Sequence, residues 1–283
     1  MAGIGYDRAV FPYMSHAPRP EPPSYLLEGR YLAEALLALG DVAEVFSGTD
    51  TWSGELVAIR RLRSDRREQE PAFRRACERL FGATSSRLVR AMHLGDDRDG
   101  RPFLVTELLV GRDVEKLGRV RWEVACEITR QAAAAVAEMH LNGLHHGGLR
   151  ASSLFVAASN AGGSRVKLLD LGTGDRAATA ERDVRSLAAI LHRLLVGRPP
   201  LPARARTGKL RLGIAGAPAA LDDALDRWLA DDVPTVTAVE IADTLKRFVD
   251  ASSELPRSGP EAPGPRVLPK TSLIVFEGEE EEP

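Results

Sequence analysis

Three short stretches carry most of the information in this chain: His146-Gly147-Gly148-Leu149-Arg150-Ala151-Ser152-Ser153, then Asp170-Leu171-Gly172, then Asp183-Val184-Arg185-Ser186-Leu187. They lie between two helical patterns. Upstream, Trp122 to His140 places Val124, Ile128, Ala135, Val136 and Met139 at helical spacing around an alanine-rich centre. Downstream, Val184 to Val196 gathers Val184, Leu187, Ala188, Leu191, Leu194 and Leu195 on one face. Adjacent His145 and His146 have no further ligand types at metal-binding spacing, so they make a poor metal site. Gly148 offers no side chain to accept a proton. Asp170, at a turn, is of the type that caps local backbone amides.

Working outward, residues 30–110 read as strands: Tyr31 to Leu37, Ala43 to Phe46, Leu56 to Leu62, Val89 to Leu94 and Phe103 to Leu108. Turn signals such as Gly95-Asp96-Asp97 and Asp99-Gly100 separate them, as in an antiparallel meander. A charged helix is predicted over Glu68 to Phe81. From residue 111 the pattern turns helical, with further amphipathic helices over Ala219 to Ala230 and Thr237 to Val249. A mainly β first part and a mainly α second part predict an α+β fold in two unequal lobes, about 29–109 and 110–250. The proline-rich residues 1–28 read as a flexible leader, and 251–283 as a proline-rich, acidic tail. Within that tail, Leu273, Ile274, Val275 and Phe276 form a β-prone apolar run that suits a docking segment for a partner's sheet edge or groove, set against simple packing on its own domain.

The bulk properties remove several function classes. With 44% apolar and 28% charged residues, the 283-residue chain suits one large globular domain. A formal net charge of −2 gives no global attraction to nucleic acid or anionic membrane. There is no signal-peptide pattern and no apolar run long enough to span a bilayer, which points to the cytoplasm. Cys77 and Cys126 lack CxxC spacing and read as core thiols. Lysine is scarce: Lys116, Lys167, Lys209, Lys246 and Lys270 are the lysines, so none precedes Lys116.

The order of these elements resembles the bacterial Ser/Thr protein kinases over roughly residues 30–250. Val57-Ala58-Ile59-Arg60 is similar to the family's Val-Ala-Ile-Lys strand. His146 to Ser153 is similar to its His-Arg-Asp-Leu-Lys-Pro-x-Asn catalytic loop, and Asp170-Leu171-Gly172 to its Asp-Phe-Gly. Asp183 to Leu187 and Leu194-Leu195-Val196-Gly197-Arg198-Pro199-Pro200 resemble the central helix of the second lobe and its closing turn. The resemblance implies a β-rich lobe over an α-helical lobe, with ATP and Mg²⁺ between them.

The departures fall on the chemistry that phosphoryl transfer needs. The three glycine positions of the phosphate loop hold Ala38, Gly40 and Ala43, beside Asp41. The strand lysine is Arg60, whose planar fork differs in reach from an ammonium. Its helix partner, a glutamate in the family, is Ala76; Glu78 lies two residues on and faces another way. The base position holds Gly148, the loop lysine is Arg150, and the metal-binding asparagine is Ser153. Only residues 173–182 separate Asp170-Leu171-Gly172 from Asp183, and no Ala-Pro-Glu follows. Retained are Ala58, His146, Asp170 and Asp183, the last a scaffold residue in the family.

These departures predict a degenerate kinase domain, a pseudokinase, acting as a regulatory or scaffolding module. Its expected partner is a protein, such as an active kinase or a regulatory assembly. No cofactor is required on this reading. The alternatives are a nucleotide-binding switch without transfer, and a weak or atypical kinase or nucleotidyl transferase. If ATP–Mg²⁺ binds, the resemblance implies Gly40, Val45, Ala58 and Arg60, the hinge residues Glu107 and Leu109 after Thr106, and Asp170 as the metal ligand. The arginine-rich run Arg60, Arg61, Arg63, Arg66, Arg67, Arg74 and Arg75 reads either as a surface for an acidic partner or as a solvated face shared with Asp65, Glu68 and Glu70.

Overall fold

A computed structural model describes residues 25–158, 164–172, 179–201, 211–230 and 236–253. The first lobe is one six-stranded antiparallel sheet. It is built from β1 (Tyr25–Leu27), β2 (Tyr31–Leu39), β3 (Ala43–Asp50), β4 (Leu56–Leu62), β5 (Ala91–Asp96) and β6 (Pro102–Glu107), in the order β1-β2-β3-β4-β6-β5. Along β4, Val57 and Ile59 are fully buried, whereas Ala58 and Arg60 face the other way and are half-exposed. That period of two is what a strand dictates. Val57 and Ile59 join Leu27, Tyr31, Ala33, Phe46, Phe103 and Val105 in a separate small core inside the curled sheet.

Residues 25–28, read from composition as part of the leader, carry regular structure. Tyr25–Leu27 pairs with β2, with Leu27 opposite Tyr31. The amide of Arg30 donates to the carbonyl of Leu27 at 2.9 Å, closing a turn in which Glu28 and Gly29 take φ of 46° and 69°. Both central residues are left-handed, the geometry favoured in two-residue hairpins. Glu28 bears this conformation for a purpose. Its carboxylate meets His93 Nε2 at 2.6 Å and accepts from the amide of Asp96 at 3.1 Å, both on β5. Because β1 and β5 are opposite edges, Glu28 ties the curled sheet towards closure, and it covers an edge that would otherwise be open to pairing. Three residues after a proline-rich run give no usable periodicity, which is why the strand was not expected.

Helix α1 (Glu70–Phe81) follows β4 and a 3₁₀ turn over Ser64–Gln69; Pro71 sits in its first turn, where a missing amide is harmless. Its Phe73, Cys77 and Leu80, at helical spacing, are buried against the main core. The second lobe is organised on α2 (Trp122–Leu141), which packs against α3 (Ala180–Val196), α5 (Ala238–Ser253) and a strand of a second sheet. The alanines of α2 let these neighbours come close, and Ala125, Ala132 and Ala133 are fully buried. Helix α4 (Ala219–Trp228) closes the lobe with Trp228 buried. α5 reaches Ser253, a little into the range read as tail.

The helical reading after residue 111 overlooked a three-stranded sheet of β7 (Gly111–Asp113), β8 (Leu154–Ala158) and β9 (Ser164–Leu168). Strands of three to five residues are too short for their alternation to stand out. This sheet matters because it sets the two ends of the site: β8 follows the His146–Ser153 loop, and β9 delivers Asp170. The tail segment Leu273–Phe276 and the first part of the 173–182 link lie outside the described residues. α3 begins at Ala180, capped by the Thr179 hydroxyl, which accepts from the amide of Arg182 at 3.2 Å. Among the described residues no helix is long and apolar enough to cross a membrane.

Candidate functional site between the lobes

A cavity of about 270 Å³ opens between the lobes. Val42 roofs it from the β2–β3 turn, and Gln69, Ala72, Phe73 and Ala76 wall it from α1 and the preceding turn. Arg60 enters from β4, while His146 to Gly148, Arg150 and Asp170 to Gly172 form its floor. The chain thus brings together the strand residue, the catalytic-loop residues and Asp170 that were singled out from sequence. Val45, Ala58, Glu107 and Leu109, expected on the adenine side, do not line this cavity.

Arg60 has no carboxylate to meet on α1, because Ala76 stands at the expected position. Its guanidinium lies over the Phe73 ring instead, 5.4 Å from the centroid, a cation–π contact. Among the described residues it forms no ion pair within contact distance. Glu78 is exposed and points away, as its helix position predicted.

Among the described residues, Asp170 is the single carboxylate lining the cavity. Its Oδ1 lies 3.2 Å from His146 Nε2, without the geometry of a hydrogen bond. Burial pushes the Asp170 carboxyl up, but His146, the Arg60 charge and the Ser153 hydroxyl outweigh it and hold it down at about 2. It is therefore an anion at neutral pH whose charge is already matched. Ser153 is buried, and its hydroxyl has no hydrogen bond of good geometry. Among the described residues no cluster of three His, Cys, Asp or Glu side chains could hold a metal ion.

The floor is held by Asp183, fully buried on α3. Its carboxylate accepts from the amides of His146 and Gly147, both at 2.7 Å, and meets His140 Nε2 at 2.9 Å. Burial raises its carboxyl, and these donors outweigh that and leave it lowered. Gly147 takes φ of 76°, which suits glycine. Gly148 is exposed and nothing stands within 4 Å of where a β-carbon would lie, so a side chain is absent here without any steric reason. Gly172 is the opposite case: a β-carbon there would overlap the carbonyl oxygen of His146.

Contacts that sequence did not suggest complete the site. Arg79 of α1 reaches across to donate to the carbonyls of Gly172 and of His145, the latter at 2.7 Å. Nothing in its sequence context distinguishes it from its charged neighbours. At the hinge, the Glu107 carboxylate is engaged by Lys167 Nζ and by the amide of Arg90 at 2.8 Å. The Glu107 carbonyl accepts from the Thr106 hydroxyl at 3.3 Å. Leu109 is half-buried against the main core. The expected phosphate loop is a plain hairpin turn: the Gly40 amide donates to Ala43 at 2.9 Å, and Arg63 and Arg66 bind the carbonyls of Gly40 and Asp41 at 3.0 and 2.9 Å.

Other arginines of the arginine-rich run are engaged as well. Arg61 is buried against Glu44 and Asp97, Arg63 pairs with Asp65, and Arg74 pairs with Glu70 and Asp96. Most of the run is engaged within the lobe. Cys77 and Cys126 are buried free thiols, raised by burial to about 11 and about 12, as expected of core cysteines.

Comparison with known proteins agrees with this architecture. Residues 78–206 match the lipopolysaccharide kinase (Kdo/WaaP) family model. A probable serine/threonine-protein kinase PknB of Corynebacterium glutamicum is 24% identical over 216 residues, covering 62% of this chain and 33% of that protein. The serine/threonine-protein kinase pkn2 of Myxococcus xanthus is 30% identical over 157 residues, covering 53% of this chain and 19% of that protein. The chain thus spans a third or less of the length of these relatives. The crystal structure of the Mycobacterium tuberculosis PknI kinase domain superposes with a TM-score of 0.63 at 19% identity, covering 80% of this chain and 98% of that one. With the two lobes, the interlobe cavity and these similarities together, the chain carries a protein kinase-like domain.

Proposed function

We propose that this domain is a pseudokinase: it does not transfer phosphate and serves as a regulatory or scaffolding module for a protein partner. The observation that carries the reading is Gly148. It occupies the position of the family's catalytic base, at the edge of the cavity, and among the described residues the only carboxylate lining that cavity is Asp170. A positioned base typically contributes ~10²–10⁴-fold in rate. The reading is supported by Arg60 lying over Phe73 rather than in an ion pair with α1, and by the neutral hydroxyl of Ser153 in place of a carboxamide. By contrast, residues that hold the loops in shape, Asp183 and Gly172 above all, are in place.

The test is transfer of labelled phosphate from ATP–Mg²⁺ to itself and to generic protein substrates, compared with Asp170→Ala. Equal, background-level labelling is expected. Labelling that disappears with Asp170→Ala would instead establish a weak kinase, the reading favoured by the names of the relatives. The partner role is checked by adding the protein to an active Ser/Thr kinase from the same cell and measuring that kinase's rate. A rate unchanged at saturating protein, with no co-sedimentation, counts against regulation of that kinase.

A further inference from the structure

We propose that the carboxy-terminal run Leu273-Ile274-Val275-Phe276 docks on its own domain, as a short added strand along the outer edge of β2 from Ala35 to Leu39. Strand β2 is nine residues long, but β1 pairs with it only at Tyr31, Leu32 and Ala33. Beyond Ala33, β2 has β3 on one side and no strand on the other among the described residues. The open stretch reads Ala-Leu-Leu-Ala-Leu, and Leu36, Leu37 and Leu39 are 42%, 45% and 61% exposed. Sheet edges are commonly guarded against unwanted pairing by a charge or a proline. This stretch carries neither.

The chain before β1 is a poor cover for this edge. Continued in the same antiparallel register, it would bring residues 19–23 alongside 35–39, and Pro20, Pro22 and Pro23 have no amide to donate. Two irregularities in the β2–β3 pairing, between Ala33 and Ala35 and between Leu36 and Ala38, bend the edge. They restrict regular pairing to a few residues, which suits a four-residue strand better than a second copy of the sheet laid edge to edge. Leu273 to Phe276 are consecutive β-prone apolar residues. Such a segment adds to a sheet through main-chain hydrogen bonds, with its side chains placed alternately on the two faces.

Reach and charge agree with this occupant. α5 ends at Ser253, and the chain from there to Leu273 spans up to about 60 Å at ~3.1 Å per residue for a proline-rich segment. A domain of this size is roughly 45 Å across. Glu277 and Glu279 to Glu282 follow the apolar run. Laid parallel to β2, they arrive at the β2–β3 turn beside Arg63 and Arg66, which Asp41, Glu44 and Asp65 match only in part. Laid antiparallel, they would arrive beside Glu34, where Arg30 is already bound by both oxygens of Asp50. The parallel direction is therefore the favoured one. The hairpin so covered supplies Val42 to the roof of the interlobe cavity, so the tail acts as a removable cover on that side of the cleft. Its docking is independent of whether the domain transfers phosphate.

Hydrogen exchange on the full chain tests this. The double variant Ile274→Pro, Val275→Pro removes two amides from the tail and alters no residue of the described domain. Exchange over Ala35–Leu39 should quicken about tenfold in it, with α2 unchanged. Leu37→Glu, at an exposed position, should in turn quicken exchange at Leu273–Phe276. A peptide of residues 270–283 should restore protection to the tail variant, and a scrambled peptide of the same composition should not. Equal exchange over Ala35–Leu39 with and without the prolines, or no change at Leu273–Phe276 in Leu37→Glu, would overturn the proposal. Protection that falls on dilution would overturn it too, since the segment would then belong to a second copy.

Discussion

Arg79, on the last turn of α1, donates a hydrogen bond to the backbone carbonyl of Gly172, 93 residues away in sequence. The same guanidinium binds the carbonyl of His145 at 2.7 Å. In the family the resemblance implies, the helix is referred to the strand by a lysine–glutamate pair. Here Ala76 removes that pair, and Arg79 ties α1 to the floor of the cleft by backbone carbonyls instead.

Arg79→Ala should therefore loosen the cleft more than any change at Arg60. Hydrogen bonds to charged groups contribute ~1.5–3 kcal/mol each, and partial exposure of this one argues for the lower end, so a loss of about 2 kcal/mol is expected. Urea denaturation measures it. Hydrogen exchange should quicken in α1 and at His145–Gly147. Arg60→Ala, which gives up a cation–π contact and the charge facing Asp170 but no hydrogen bond to the floor, should leave that exchange unchanged.

Asp183 makes stability pH-dependent. Its folded carboxyl is lowered, so the unfolded chain takes up the proton first as pH falls. The contribution is complete above an unfolded carboxylate's value of about 4 and is lost as pH falls from there through the folded value. Asp183→Asn should cost about 2–3 kcal/mol at pH 7, since one carboxamide oxygen cannot serve both the His146 and Gly147 amides. In denaturation series between pH 7 and pH 3, the difference between the two proteins should begin to shrink as the pH falls below about 4. A constant difference across that range would contradict the assignment.

The two glycines of the floor should respond oppositely to a single methyl group. Gly172→Ala drives a β-carbon into the His146 carbonyl, backbone against backbone, and is expected to destabilise by about 2–4 kcal/mol. Gly148→Ala meets nothing and should stay within about 0.5 kcal/mol. Thermal unfolding of the pair is sufficient to compare them.

Glu28→Ala should weaken the first lobe. It keeps the left-handed backbone at a residue that no longer binds His93 and the Asp96 amide across the sheet. Both partners of the pair are about a third exposed, at 31% and 38%, so the loss should be about 1 kcal/mol or less. Exchange should quicken locally at Asp96, which would separate this loss from general destabilisation.

The two-lobed plan was legible because its elements repeat their period over many residues. α2 and α3 declare themselves through twenty and seventeen residues of helical pattern. The β4 strand shows itself by alternation around Val57 and Ile59. β1, β7, β8 and β9 escaped notice because three to five residues do not establish a period. The site was legible where it depends on which side chain occupies a motif position: Arg60, Ala76, Gly148, Ser153, Asp170 and Asp183. It was not legible where it depends on contact. The adenine-side expectation for Val45, Ala58, Glu107 and Leu109 did not extend to the cavity, because a linear motif does not say how wide the cleft stands at each end.

The amino-acid sequence fixes the identity of every group in the cleft, and so fixes that no carboxylate stands at position 148 and no glutamate at position 76. Those are covalent facts that folding cannot alter. What folding added is where the remaining charges go. Arg60 came to rest on Phe73, Arg79 bound the carbonyls of Gly172 and His145, Lys167 met Glu107, and Glu28 spanned the edges of the curled sheet. Each of the last three pairs residues sixty or more positions apart. Their energies exist only once the lobes have packed, because a guanidinium or carboxylate in an open chain finds water in every direction and has no reason to prefer one distant partner.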